Sequence, residues 1–222
     1  ISFNTTVLER DRTQNEFTKA IWDYLDTAVS EARIRNGQRA LRDHATLLRR
    51  VESAYGVDKE IVAAIWGLES AYGAVRGNTP VVEAMATLAY DGRRKDFFES
   101  ELMAALRILQ DGHTGPENMR GSWAGAMGHT QFMPSSFETF AVDSNGDGRK
   151  DIWSDDPTDA LASTGHYLRE HGWTLGQPWG VEVRLPEGFD YLQAARDITR
   201  LPSDWAAMGV VALDGRAVPD HG

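Results

Sequence analysis

The stretch from Val57 to Gly73 carries a carboxylate where an acid catalyst could work. Its pattern predicts one helix: Asp58 stands at the N-cap position, Glu60 adds negative charge to the first turn, and Gly73 supplies a stop. Ile61, Ile65, Leu68 and Tyr72 recur at helical spacing and are expected to face a core. Glu69 follows Ile65 by four residues and Leu68 by one, on the flank of that stripe. A carboxyl group there is half removed from water, which penalises its charged form and raises its pKa. A general acid needs that setting, because it must hold a proton near neutral pH and still release it. The same position also suits a glutamate that is only solvated or salt-bridged on a helix surface.

A second pattern concerns metal. The run Asp143-Ser144-Asn145-Gly146-Asp147-Gly148-Arg149-Lys150-Asp151 opens like an EF-hand calcium loop, with side-chain oxygens at loop positions 1, 3 and 5, glycine at 6 and Asp151 at 9. Position 12 is Ser154 instead of a bidentate glutamate, and position 8 is Lys150 instead of an aliphatic residue. Asp155, Asp156 or Asp159 could close the site from a longer loop; an Asp/Asn/Gly turn without an ion is the simpler alternative. His166 and His171 lie five residues apart and do not share a helical face as a metal pair would. In residues 119–137, Gly121, Gly125 and Gly128 stand among small and aromatic residues, which predicts a backbone passing close to a ligand or to the core. A nucleotide-phosphate loop is disfavoured, since neither a Gly-Lys-Ser/Thr ending nor a preceding strand is present.

The elements that must position these groups read as helices. Residues 8–55 are expected to be helical, with Phe17, Ile21, Tyr24 and Leu25 at core spacing, then Leu41, Leu47, Leu48, Val51 and Tyr55, and a break at Asn36-Gly37. Two more helices are expected at Val81–Tyr90 and Arg94–Asp111, the second burying Phe97, Phe98, Leu102, Leu106 and Leu109. Thr158–His171 reads as a helix ending at Gly172. The last fifty residues change character: Trp179–Pro186 alternates like a strand, and Gly209–Arg216 resembles a strand running into a turn.

The 222 residues, 41% of them apolar, are enough for one sizeable core or a core with a lobe. A net charge of −10 disfavours nucleic acid as a partner, because phosphate contact needs a basic patch. With no cysteine, disulfides and thiolate metal sites are excluded. No run of about eighteen apolar residues reads as a membrane span. Ile1–Val7 shows no basic-then-apolar pattern of a signal peptide, and a chain that begins without Met reads as a mature or trimmed product.

Five words in order resemble the B-type bacterial lytic murein transglycosylases. They are residues 64–73 (AIWGLESAYG), 86–94 (ATLAYDGRR), 121–128 (GSWAGAMG), 131–136 (QFMPSS), and Asp147-Gly148-Arg149 through Asp151-Ile152-Trp153. Their spacing fits along residues 8–213. The resemblance implies a mainly α fold: a lysozyme-like catalytic core with extra helical elements and a small β-containing C-terminal part. It implies one catalytic unit over 1–222, made of an N-terminal helical part (1–56), the core (57–173) with the EF-hand-like loop at 143–159, and a mixed part at 174–222 that reads as truncated. The family continues with an Asn-Phe and a Tyr-Asn segment that lines the groove, and its N-terminal beginning is longer.

The implied reaction is non-hydrolytic cleavage of the MurNAc-β-1,4-GlcNAc bond of peptidoglycan, in which the muramyl C6 hydroxyl attacks C1 and leaves a 1,6-anhydromuramyl end. By motif match Glu69 is the single acid/base. Ser122, Gln131, Tyr24 and Tyr167 match substrate-groove positions, and tyrosine suits sugar by offering an apolar ring and a hydroxyl. Asp143, Asn145, Asp147, the Arg149 carbonyl and Asp159 match ligands of a structural calcium ion that would brace the fold; no cofactor is implied for the chemistry. The implied setting is the periplasm, the partner is peptidoglycan glycan strands, and the state is monomeric. Two alternatives stay open: a non-catalytic glycan-binding module that kept the groove, and a muramidase-type hydrolase whose product would carry a reducing end. A calcium-regulated interaction protein is disfavoured, because sensor EF-hands act in pairs of helices around paired loops.

Overall fold

The structure, a computed structural model, describes residues 2–13 and 20–220. Two compact units divide the chain, Ile1–Leu175 and Gly176–Gly222. The first unit holds nine helices among its described residues: α1 (Thr5–Arg12), α2 (Ile21–Ala28), α3 (Glu31–Asp43), α4 (Ala45–Tyr55), α5 (Lys59–Ser70), α6 (Val81–Asp91), α7 (Lys95–Gln110), α8 (Pro134–Phe140) and α9 (Thr158–Glu170). A two-residue ribbon, β1 (Thr79–Pro80) antiparallel to β2 (Arg120–Gly121), sets Thr79 opposite Gly121. It fastens the segment after α5 to the glycine-rich stretch.

Two hydrophobic clusters share α9. In one, Val81, Met85 and Leu88 of α6 pack with Phe98 and Ile108 of α7, with Met119, Met127 and Ile152 from loops, and with Phe137 of α8. In the other, Leu48 and Val51 of α4 pack with Val62, Ala63 and Trp66 of α5 and with Leu161 and Ala162 of α9. Helix α9 lies between them because its first two turns are small or apolar on every side: residues Asp159–Gly165 are all buried. Helix α1 is tied down by Asp11, whose buried carboxylate accepts two bonds from the Arg93 guanidinium at the α6–α7 junction.

Several sequence expectations need correction. The buried face of α5 is Val62, Ala63, Trp66, Gly67 and Ser70, while Ile61 and Ile65 are half-buried and Leu68 is exposed. Both stripes have helical spacing; the one carrying the Trp66 indole, the largest apolar group on the helix, takes the core. Helix α3 runs straight through Asn36-Gly37. Gly37 is there for clearance, since a Cβ would lie 2.6 Å from the Tyr72 hydroxyl. Helix α2 buries none of its residues, so Ile21, Tyr24 and Leu25 are exposed instead of packed in a core. Phe17 falls outside the described residues. On α7, Phe97 and Leu106 are exposed; the inward positions go to Phe98, Glu101, Ala104, Ala105 and Ile108.

The second unit carries β3 (Val183–Arg184) antiparallel to β4 (Val211–Ala212), a 3₁₀ turn at Tyr191–Ala194 and α10 (Pro202–Ala207). Among its described residues only Val210 is buried. No helix among the described residues is long and apolar enough to cross a membrane.

Candidate active site

Glu69 is the penultimate residue of α5. Beyond it the chain enters the left-handed region twice without glycine, at Ala71 (φ 50°) and Tyr72 (φ 60°). Such residues cost energy and persist only where surroundings over-determine them. Here the Tyr72 amide closes on the Trp66 carbonyl at 3.2 Å, and the Tyr72 hydroxyl donates to the Arg33 carbonyl of α3 at 3.0 Å. The Tyr72 ring stands edge-on to Trp66, with centroids 5.7 Å apart. The expected stop at Gly73 thus comes three residues earlier, at Ser70.

The Glu69 side chain is exposed, yet loss of surrounding water raises its pKa above the ordinary value. Among the described residues its carboxylate has no hydrogen-bond or ion-pair partner. A bare carboxyl with a raised pKa can donate a proton and later take one back.

One turn around the helix, the fixed side of the site begins. The Ser70 hydroxyl donates to the His129 carbonyl at 2.5 Å and accepts the Gly73 amide at 2.9 Å. The Trp66 indole N–H donates to His129 Nδ1 at 3.0 Å. The Arg76 guanidinium donates to the Trp153 and Ser154 carbonyls and pairs with Asp155 at 2.7 Å. Gly73 (φ +85°) must lack a side chain, because a Cβ would sit 2.5 Å from the His129 ring.

Gln131 joins this frame. Its backbone is left-handed (φ 53°), and its amide donates to the Arg76 carbonyl at 3.2 Å and the Gly128 carbonyl at 2.9 Å. Ser122 caps the turn at 122–126 by accepting the Ala126 amide at 3.1 Å. Gly77 (φ +85°) presses on its start, where a Cβ would come within 2.2 Å of the Gly121 backbone. The close backbone approach expected in 119–137 is therefore packing of chain against chain, between the segment leaving Glu69 and the loop bearing Ser122 and Gln131. Tyr167 of α9 packs on Phe132 and Phe140 and stacks on His171, with centroids 4.0 Å apart. Tyr24 lies on the exposed helix α2.

His129 and Arg76 were missed as members of the site. Both were visible only as single residues in loops, and nothing in their spacing tells which backbone atoms they meet. Asp58 occupies the N-cap position of α5 without capping it; its carboxylate accepts the Trp173 indole N–H at 2.9 Å.

The 143–159 loop is closed by its own carboxylates. Asp143 accepts the amides of Gly146, Asp147 and Gly148 at 2.7–3.2 Å, Asn145 accepts that of Asp147, and Asp147 accepts that of Arg149. Buried Asp159 reaches in from α9 and accepts the amides of Ser144 at 2.8 Å and Asp151 at 2.9 Å. These donors are hard oxygens, the kind calcium prefers. Among the described residues no three acidic or imidazole groups gather as a metal cluster.

Comparison with known proteins follows the same outline. The chain matches the family described as "Transglycosylase SLT domain" over residues 1–221. It is 38% identical over 172 residues to membrane-bound lytic murein transglycosylase B of Escherichia coli K12, which covers 75% of this chain and 47% of that protein. It is similar to SltB3 of Pseudomonas aeruginosa, solved with NAG-NAM-pentapeptide, at 49% identity and a TM-score of 0.93 over 99% of this chain and 58% of that one. The Escherichia coli lytic transglycosylase Slt35, solved with calcium, is similar at 33% identity and a TM-score of 0.80, over 96% and 67%. The chain thus spans about half the length of the curated relative it matches.

Proposed function

The chain belongs to the transglycosylase SLT domain family, with the mainly helical, lysozyme-like fold of the lytic transglycosylases, and from that premise we propose that it cleaves peptidoglycan glycan strands without water. The bond is MurNAc-β-1,4-GlcNAc and the product is a 1,6-anhydromuramyl end. Glu69 is the single acid/base. Protonated, it gives its proton to the leaving glycosidic oxygen as the C1–O bond breaks. As a carboxylate it then takes the proton of the muramyl C6 hydroxyl while that oxygen bonds to C1. The nucleophile belongs to the substrate, so the second carboxylate of ordinary glycosidases is not required.

The observation that carries this reading is the state of Glu69: raised in pKa by desolvation and without a partner among the described residues. Asp155, another carboxylate on the same frame, is occupied by Arg76. Ser122 and Gln131 are read as substrate contacts from the loop fastened to the segment leaving Glu69, and Tyr24 and Tyr167 as ring surfaces for sugar. The solved complexes of SltB3 with NAG-NAM-pentapeptide and NAG-anhNAM-pentapeptide support this substrate class.

The test is mass spectrometry of muropeptides released from purified sacculi by the wild type and by Glu69→Gln. The expected result is products one water lighter than hydrolysed muropeptides, absent with the variant. Reducing-end products would make the protein a muramidase instead. Binding without release from either protein would leave a glycan-binding module.

A structural calcium ion is proposed for the 143–159 loop, held by Asp143, Asn145, Asp147, the Arg149 carbonyl and Asp159; it would brace the loop and take no part in the reaction. The chain is read as a periplasmic protein that acts as a monomer.

A further inference from the structure

We propose that His129 is a positioning residue for Glu69: its carbonyl holds Ser70 and its neutral imidazole holds Trp66, and protonation of the ring releases the Trp66 anchor of the last turn of α5. The proposal rests on the reading of Glu69 as the acid/base.

The hydrogen bonds fix the tautomer. An indole N–H can only donate, so His129 Nδ1, 3.0 Å from Trp66 Nε1, must be the accepting nitrogen. The ring proton is therefore on Nε2, which donates to the Ser154 carbonyl at 2.7 Å. Arg76 Nη1, 3.3 Å from the same Nε2, is another donor and makes no bond with it; that guanidinium serves the Trp153 and Ser154 carbonyls. A second ring proton would go on Nδ1 and point at the indole N–H. The bond to Trp66 would be lost, and a cation would stand beside the Arg76 guanidinium.

What is lost matters because of where the anchors sit. Trp66 and Ser70 are one turn apart on α5, and Glu69 lies between them, three residues after one and one before the other. The His129 ring holds Trp66, and the His129 carbonyl holds the Ser70 hydroxyl at 2.5 Å. Together they set the rotation of the helix end about its axis. Side chains reach about 5–6 Å from that axis, so a turn of about 10° moves a carboxyl by about 1 Å. A misplacement of about 1 Å at a reacting group can cost about a hundredfold in rate.

The groups facing His129 make the neutral form the resting one. Burial of its ring lowers its pKa and outweighs the bond to the Ser154 carbonyl, which raises it; Arg76 acts with burial, and Asp155 and Asp151 oppose it. His44 packs edge-on to the other side of Trp66, with centroids 5.1 Å apart, and Asp156 lies within reach of both histidines' charge. A cavity of about 290 Å³ lined by His44, Trp66, Tyr72, Arg76, His129 and Asp155 gives protons a route to the ring.

The test compares wild type, His129→Gln and His129→Leu on purified glycan strands across pH, with NMR of the Trp66 indole N–H and the Glu69 carboxyl carbon. Gln keeps an oxygen to accept and an amide to donate, and does not titrate. His129→Leu is expected to lose about tenfold to a hundredfold in kcat while KM stays within about threefold. His129→Gln is expected to keep kcat within about threefold and to lose the His129 inflection on the acid side of the profile. In the wild type the Trp66 indole resonance should follow the His129 titration. Wild-type kcat in folded His129→Leu, an unchanged pH profile in His129→Gln, or a Trp66 resonance indifferent to His129 would each overturn the proposal. Should His129→Leu fail to fold, the Gln profile and the wild-type NMR decide alone. The spectra need no turnover, so loss of the transglycosylase reading is distinguishable from loss of this one: it would appear as wild type making no anhydro product while Trp66 still follows His129.

Discussion

Glu69 and Asp159 both have their pKa raised by loss of water, yet their surroundings are opposite. Asp159 is buried at the start of α9, and its charge is met by backbone amides that pull its pKa back down. Glu69 stands exposed at the end of α5, where no donor among the described residues meets it. A carboxylate that holds a loop together is surrounded by N–H groups; the one proposed to trade protons meets none among the described residues. The fixing of the chain is dense here: the His129 ring and carbonyl hold Trp66 and Ser70, the Ser70 hydroxyl takes the Gly73 amide, and the Gln131 amide holds the Arg76 carbonyl.

The sharpest way to break the comparison is to neutralise each carboxylate. Glu69→Gln should cut release of anhydro-muropeptides by about 10²–10⁴-fold, the range for a lost general acid, as measured by product mass spectrometry. A variant that keeps wild-type turnover would remove Glu69 from the chemistry. Asp159→Ala should leave turnover chemistry intact but orphan the amides of Ser144 and Asp151, costing about 2–4 kcal/mol in urea melts. If stability were unchanged, the loop would not depend on that carboxylate.

Gly73→Ala comes next. It forces a φ of +85° on an L residue and drives its Cβ towards the His129 ring, for an expected loss of about 1–3 kcal/mol and a lower kcat. The smallest effects are in pH. Glu69 holds its proton above 4.5 in the native state, so native protein binds more protons than unfolded protein just above that pH, and stability falls as pH rises through the window. Glu69→Gln should therefore melt at a higher temperature than wild type at neutral pH, where an ordinary surface glutamate would give no change. His129 has the opposite sign: its native pKa lies below 6.5, so the stability present above 6.5 is lost as pH falls towards the native value. His129→Gln should flatten that acid decline in a melt series.

Much of the candidate site was legible because chemistry is written in residue types. The helix of Glu69 and the raised pKa of a carboxyl on its flank could be read from residue types and spacing; for the 143–159 loop the residues left Asp155, Asp156 and Asp159 open as closers of an ion site, and tertiary structure brings Asp159 onto the amides of Ser144 and Asp151. The errors arose where two patterns had the same period. Ile61/Ile65/Leu68/Tyr72 and Val62/Trp66/Ser70 are equally helical, and only the packing of Trp66 between α4 and α9 chose the second. Gly37 looked like a helix breaker, since sequence does not show that a tyrosine hydroxyl thirty-five residues on needs its missing side chain.

What the sequence determined by itself was local: that the segments around Glu69 are helical, and which carboxylate sits on the edge of an apolar face. Those follow from backbone preferences and from a period of 3.6, which act over a few residues. Tertiary structure alone decided which face of α5 is buried, that His129 accepts from Trp66 while its carbonyl holds Ser70, and that Glu69 has no partner among the described residues. Those depend on contacts between residues tens of positions apart, where sub-ångström fit decides between arrangements that the sequence pattern leaves equal.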